Sequence, residues 1–151
     1  QFKYLNMRLE IKAKLHQILD KKIQYFHDAI ADLRLSNTET KSSMGDKYET
    51  SREMLQQEIM RLQQQLANLN EQKAVLLRMK DEPTSSIRFG SIVTSSVGNF
   101  VIAVSLGRFS VSDKEYIAVS EGTPIAKQLI GKTTADSFSF QNKQAEILRI
   151  S

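Results

Sequence analysis

At 151 residues the chain suits one domain of ordinary size or two small ones, and its 40% apolar and 25% charged content is that of a globular protein. No apolar run approaches the roughly 20 residues of a spanning helix, and the absence of cysteine removes a disulfide scaffold and a cysteine nucleophile and argues against structural zinc. Residues 1–80 hold 14 Lys/Arg against 10 Asp/Glu while residues 81–151 hold 7 of each, so the first half carries the whole excess of +4, which fits a solvated helix surface or an arm that approaches nucleic acid.

The first residues mix Lys3, Arg8, Glu10, Lys12 and Lys14 with apolar positions and contain no apolar h-region, so no secretory signal is expected. A cytoplasmic monomer without membrane contact is the expectation. His16 and His27, eleven residues apart, lack the i, i+4 spacing that faces one metal and read as helix-surface residues. Leu19, Ile23, Phe26, Ile30 and Leu33 step by 4, 3, 4 and 3, with Ile11 and Leu15 extending the stripe backwards. Leu55, Ile59, Leu62, Leu66 and Leu69 repeat those steps, and Leu76 follows one heptad later. That spacing is the seam of a coiled coil. A polar link over about 35–45, rich in Ser, Thr and Asn, folds the two seams into an antiparallel hairpin over residues 1–80. Arms of ~30 residues at about 1.5 Å per residue give a hairpin on the order of 45–50 Å long.

Within "KSSMGDKYETSRE" (41–53), Asp46 and Glu49 form a D-x-x-E at the tip, about residues 36–48. This is a capping-box pattern, Asp46 accepting from the N3 amide and Glu49 reaching back to the N-cap amide. It also sets two carboxylates on one helical turn, where they could share a cation. Lys41, Lys47 and Arg52 flank the acids and suit RNA phosphates, while Tyr48 either stacks on a base or covers the seam seven residues before Leu55.

"KDEPTSS" (80–86) reads as a linker over 81–86, because Pro83 lacks the N–H a helix needs. From 87 to 151 the Val-, Ile- and Phe-rich runs "IRFGSIVTSS", "NFVIAVSLG", "RFSV", "EYIAVS", "DSFSF" and "QAEILRI" read as strands, with hairpin turns at "SVGN" and "QNK". "TPIAKQLIG" (123–131) reads as one short helix with Thr123 as N-cap, Pro124 at N1 and Gly131 ending it. The fold class is α+β in two domains, a coiled-coil hairpin followed by a small antiparallel sheet with one helix on a face.

Two stretches carry a resemblance to the Gre family of bacterial transcript cleavage factors. "GDKYE" (45–49) is similar to that family's tip motif G-D-x-x-E. "GTPIAKQLIGKTTAD" (122–136) resembles its S-P-I-A-x-x-L-I-G-K-x-x-G-D, with Pro124, Ile125, Ala126, Leu129, Ile130, Gly131, Lys132 and Asp136 in step. The family continues its tip as E-N-A-E-Y where this chain reads Glu49, Thr50, Ser51, Arg52, Glu53, and Ala135 stands for a Gly. The resemblance implies an FKBP-like sheet domain that docks on bacterial RNA polymerase, with Thr123, Pro124 and Ile125 as a docking edge. It further implies that the tip enters the secondary channel toward the nascent RNA 3′ end. There Asp46 and Glu49 would share a weakly bound Mg²⁺ with the polymerase, which then hydrolyses its own backtracked RNA, so the chain itself is no enzyme.

The altered residues after Glu49 support a second reading, a secondary-channel regulator that modulates the polymerase without stimulating cleavage. A prolyl isomerase is disfavoured, since residues 87–151 contain no Trp and a single Tyr to line a pocket. A coiled-coil adaptor without polymerase contact is the plain alternative.

Overall fold

The computed structural model describes the backbone of residues 2–40 and 46–151 and the side chains of residues 3–36 and 49–151. The chain divides into two compact units, residues 18–73 and residues 1–17 together with 74–151. Two long helices, α1 (Phe2–Thr40) and α2 (Asp46–Leu77), contribute to both.

Within the 18–73 unit, Ile30, Ile59 and Leu62 are buried against one another, ringed by Phe26, Ala29, Leu33 and Leu66. Asp20 meets Lys73 at 2.6 Å. Facing positions thus rise in number on one helix as they fall on the other, so the helices are antiparallel. Every residue of the two heptad stripes is buried or half-buried, while Tyr25, Met54 and Met60 stand exposed. The expected link beginning near Leu35 starts later, because α1 remains helical through Thr40. Ser36, Asn37 and Thr38 lower helix propensity by only tenths of a kcal/mol each, and no Gly or Pro precedes Gly45 to end the helix. Residues 41–45 lie outside the described residues.

The other unit is built on six strands, β1 (Ile92–Ser95), β2 (Gly98–Ile102), β3 (Gly107–Val111), β4 (Lys114–Val119), β5 (Ser137–Phe140) and β6 (Lys143–Ile150), with α3 (Pro124–Leu129) after β4. Their order is β3-β4-β2-β1-β6-β5. The sheet is mixed, where a purely antiparallel one was expected: β4 runs parallel to β2, pairing Phe100 with Ile117 and Ile102 with Val119. The cause is topological. After β2 the chain passes out to the edge as β3, and the β3–β4 hairpin brings β4 back alongside β2. Two hairpins turn through left-handed pairs, Ser112–Asp113 and Gln141–Asn142, as two-residue type I′ loops require. The third turns at Ser96–Val97, with Ser95 opposite Gly98.

One sheet face packs on α3. Val93, Phe100, Ile102, Val119, Ala126, Leu129, Phe138 and Ile147 form its buried core, and the Phe100 ring meets Phe138 and Phe140 edge-on at 6.4 and 5.4 Å. The other face carries Tyr116 and Arg149 and receives the start of α1. Tyr116 Oη lies 3.5 Å from Met7 Sδ, the Arg149 guanidinium sits 4.8 Å over the Tyr4 ring, and Ser112 Oγ donates to Glu10. A register shift at Thr94/Ser95 reverses the alternation of β6. Ile147 and Ile150, three apart, therefore both pack on the α3-side core, and Arg149 is released to the opposite face.

Arg8 locks this face. Its side chain is 2% exposed, and its guanidinium donates to four main-chain oxygens. Nη1 reaches Gly90 at 2.6 Å and Ser151 at 3.3 Å, Nε reaches Asp81 at 3.2 Å, and Nη2 bonds Lys80. Burial pulls the guanidinium pKa down, and the carboxylates of Asp81 and Glu82 push it back up. Gly90 adopts φ +89, and a Cβ there would come within 3.8 Å of the Arg8 guanidinium. A side chain at that position is disfavoured by its backbone conformation.

Candidate functional site

Helix α2 is described from Asp46, and residues 41–45 before it lie outside the described residues, so the expected capping box is not tested. Asp46 and Glu49 are three residues apart along it, within one helical turn. Glu49 is exposed. Arg52 follows one turn further along; it is half-buried, and its Nε is buried without a hydrogen-bond partner. Lys41 lies outside the described residues, as do the side chains of Asp46, Lys47 and Tyr48.

The donor chemistry of the turn fits Mg²⁺. Two carboxylates are hard oxygen ligands in the number that Mg²⁺ commonly takes from a protein, leaving its other positions to water and phosphate. The helix macrodipole also favours negative charge toward the N-terminal end of a helix. Among the described residues no three His, Cys, Asp or Glu side chains come together as a metal site.

In the C-terminal stretch, most matching residues support the fold directly. The Thr123 hydroxyl accepts from the Ala126 amide at 3.4 Å and donates to the Ser120 carbonyl at 2.8 Å, with Pro124 at the start of α3. Ala126 and Leu129 are buried, and Ile125 packs half-buried against the same core. Gly131, at φ +90, ends the helix and ties its amide to the Ile87 carbonyl. The Asp136 carboxylate accepts from the Thr133 amide at 2.8 Å, closing the turn before β5. Of the three candidate docking residues, Pro124 is exposed, Ile125 is shared with the core, and Thr123 is engaged in the cap. Thr123→Ala is expected to cost about 1 kcal/mol through loss of that cap, measured as a lowered urea midpoint at unchanged slope.

Ala135, which stands where the family motif has Gly, adopts φ +75. An L-residue there carries a left-handed penalty of about 1–2 kcal/mol. Ala135→Gly is expected to stabilise the chain by about 1 kcal/mol, net of the extra freedom glycine gives the unfolded chain. A lower melting temperature for that variant would contradict the assignment of strain.

No protein-family profile matches the chain, and no curated protein matches its sequence. Solved structures do. A structure of the transcription factor Gfh1 is 16% identical over 89% of this chain and 91% of its own, with a TM-score of 0.35. GreA factor homolog 1 (Gfh1) of Thermus thermophilus is 15% identical over 89% and 93%, also at 0.35. Gfh1 of Thermus aquaticus is 17% identical over 89% and 92%, at 0.34. Likeness at that level of superposition assigns no function.

Proposed function

We propose that this chain is a transcription elongation factor of the Gre type. It binds bacterial RNA polymerase through its sheet domain, inserts the tip of its helical hairpin into the secondary channel, and stimulates the polymerase to hydrolyse backtracked RNA. The observation that carries this reading is the placement of Asp46 and Glu49 three residues apart on α2. Both lie within one turn, with Glu49 open to solvent, at the end of the 18–73 unit remote from its Asp20–Lys73 pair. The two carboxylates would bind Mg²⁺ only weakly in free solution, which suits a factor that completes a site in another protein. Bound there, the ion would supply a Lewis acid at a phosphodiester and lower the pKa of an attacking water. The chain's own part is to carry two acids to that place and hold them on a rigid helical turn. Lys41, Lys47 and Arg52 are the cations available to the displaced RNA strand, and Tyr48 is available to its bases.

One observation favours a second reading, in which the chain occupies the secondary channel and modulates the polymerase without cleavage. Arg52 stands where the resembled tip motif has Glu, one turn from Glu49. A guanidinium at i+3 competes with a cation for the Glu49 carboxylate.

Backtracked polymerase complexes with end-labelled RNA, incubated with the chain and Mg²⁺, test both. Shortened RNA that resumes elongation supports cleavage stimulation. Unchanged RNA with slowed nucleotide addition supports the second reading. Failure of the chain to co-purify with polymerase removes both and leaves a coiled-coil adaptor.

A further inference from the structure

A basic hollow lies where the end of α2 meets the loop before β1, and neither reading of the tip uses it. It is an open hollow of about 220 Å³ lined by Arg8, Arg78, Lys80, Arg88 and Phe89, with Glu82 as the opposing carboxylate on its wall. Four cations thus surround one small space against a single acid. Arg78, Lys80 and Arg88 are exposed, and none of them makes an ion pair among the described residues. Arg78 is held at 5.7 Å over the Phe89 ring, which reduces the freedom lost when it engages a ligand. Arg8 cannot swing away, because its four hydrogen bonds to main-chain oxygens fix it. A guanidinium has five N–H donors, so one Nη2 hydrogen of Arg8 has no acceptor among the described residues. Like charges gathered around a cavity repel one another until an anion enters, and low-dielectric walls focus that field.

We propose that this hollow is a binding site for a compact polyphosphate anion of the diphosphate class. Size and charge select that class. The space is smaller than the roughly 300 Å³ at which ordinary organic-ligand pockets begin, so a peptide strand or a large cofactor does not fit inside it. Guanidinium forks match phosphate oxygens in pairs, and three arginines with a lysine exceed what a single phosphate would neutralise. The diphosphate is either free or the polar end of a nucleoside diphosphate whose remainder lies outside the hollow.

Isothermal titration of the full chain at low ionic strength, with diphosphate, a nucleoside diphosphate, phosphate and sulfate, tests the proposal. Diphosphate is expected to bind saturably at one site, about 10-fold or more tighter than phosphate, as one further charge-assisted hydrogen bond would give. Arg78→Gln and Arg88→Gln each weaken it by about 10-fold, and Glu82→Gln tightens it by removing the opposing charge. Arg108→Gln, an exposed cation on β3 away from the hollow, leaves the affinity unchanged. A nucleoside diphosphate binding as tightly as diphosphate identifies a nucleotide ligand, and one that does not bind identifies the free anion. The proposal is overturned if no diphosphate-bearing probe saturates, or if Arg108→Gln weakens binding as much as Arg88→Gln. Circular dichroism of each variant confirms that the fold is retained.

Discussion

Asp46→Asn combined with Glu49→Gln is expected to lower factor-dependent RNA shortening by about 100-fold or more, with binding to the polymerase unchanged. The magnitude follows from metal-site chemistry, where loss of an outer-sphere partner alone commonly costs 10–100-fold and here both proposed ligands lose their charge. The pair of substitutions is chosen because capping and metal holding respond differently to it. Asn serves as a helix N-cap as well as Asp does, and Gln can replace Glu in a capping box. The amide variant therefore keeps the capping pattern of the D-x-x-E while removing the negative charge. If the carboxylates do no more than begin the helix, the double variant shortens RNA as well as the parent, and the cleavage reading fails. Ala in place of both acids would confuse the two roles, since it removes cap and charge together.

Arg52 extends the same experiment. Arg52→Glu restores the residue type of the resembled tip motif and replaces an i+3 cation with a third carboxylate. If the parent chain cleaves weakly, this variant raises the rate; if the parent only occupies the channel, it introduces cleavage where none was seen. An Arg52→Glu variant that matches its parent in every assay would show that the departure at this position is neutral.

The helical seams were legible because burial in a two-helix unit follows one rule, a 3–4 step of apolar residues, and every stripe residue obeys it. The short helix was equally legible, since Thr123, Pro124 and Gly131 each act through local backbone chemistry that their side chains announce. Strand positions were readable from β-branched and aromatic runs. Strand neighbours were not: nothing in the residues of β4 says that it lies parallel to β2, because that follows from where β3 goes. The bulge that turns Arg149 away from the core is invisible for the same reason, being a property of pairing and not of one strand. At the site, the one-turn spacing of Asp46 and Glu49 was legible and both residues lie on α2, while their chemical role entered only through resemblance. The basic hollow went unread because its cations come from α1 and from the segment between α2 and β1, up to 80 positions apart.

Arg8 is the clearest case of a residue that sequence reasoning passes over. An arginine near the start of an amphipathic helix reads as part of its solvated face, yet this one is buried among carbonyls 72 to 143 positions away. Arg8→Met is expected to destabilise the sheet-bearing unit by about 3–5 kcal/mol, the range found when one side of a buried charged arrangement is deleted. That is a large share of the 5–15 kcal/mol that holds a typical domain together. Buried ion pairs can sometimes be exchanged for apolar residues at no net cost, because both charges leave together. Here that exchange is not open. The partners are main-chain oxygens of Lys80, Asp81, Gly90 and Ser151, which no substitution removes, so methionine leaves acceptors buried without donors. Methionine keeps an unbranched stem in the space, which limits the loss attributable to packing. Arg8→Lys separates charge from geometry: it retains the cation, but an ammonium cannot span acceptors laid out for a planar fork. An intermediate loss is expected for lysine in urea denaturation. Equal losses for methionine and lysine would place the whole effect in the fork's hydrogen bonds. A methionine variant within about 0.5 kcal/mol of the parent, the range of ordinary surface substitutions, would show that the four carbonyl contacts do not hold this unit together.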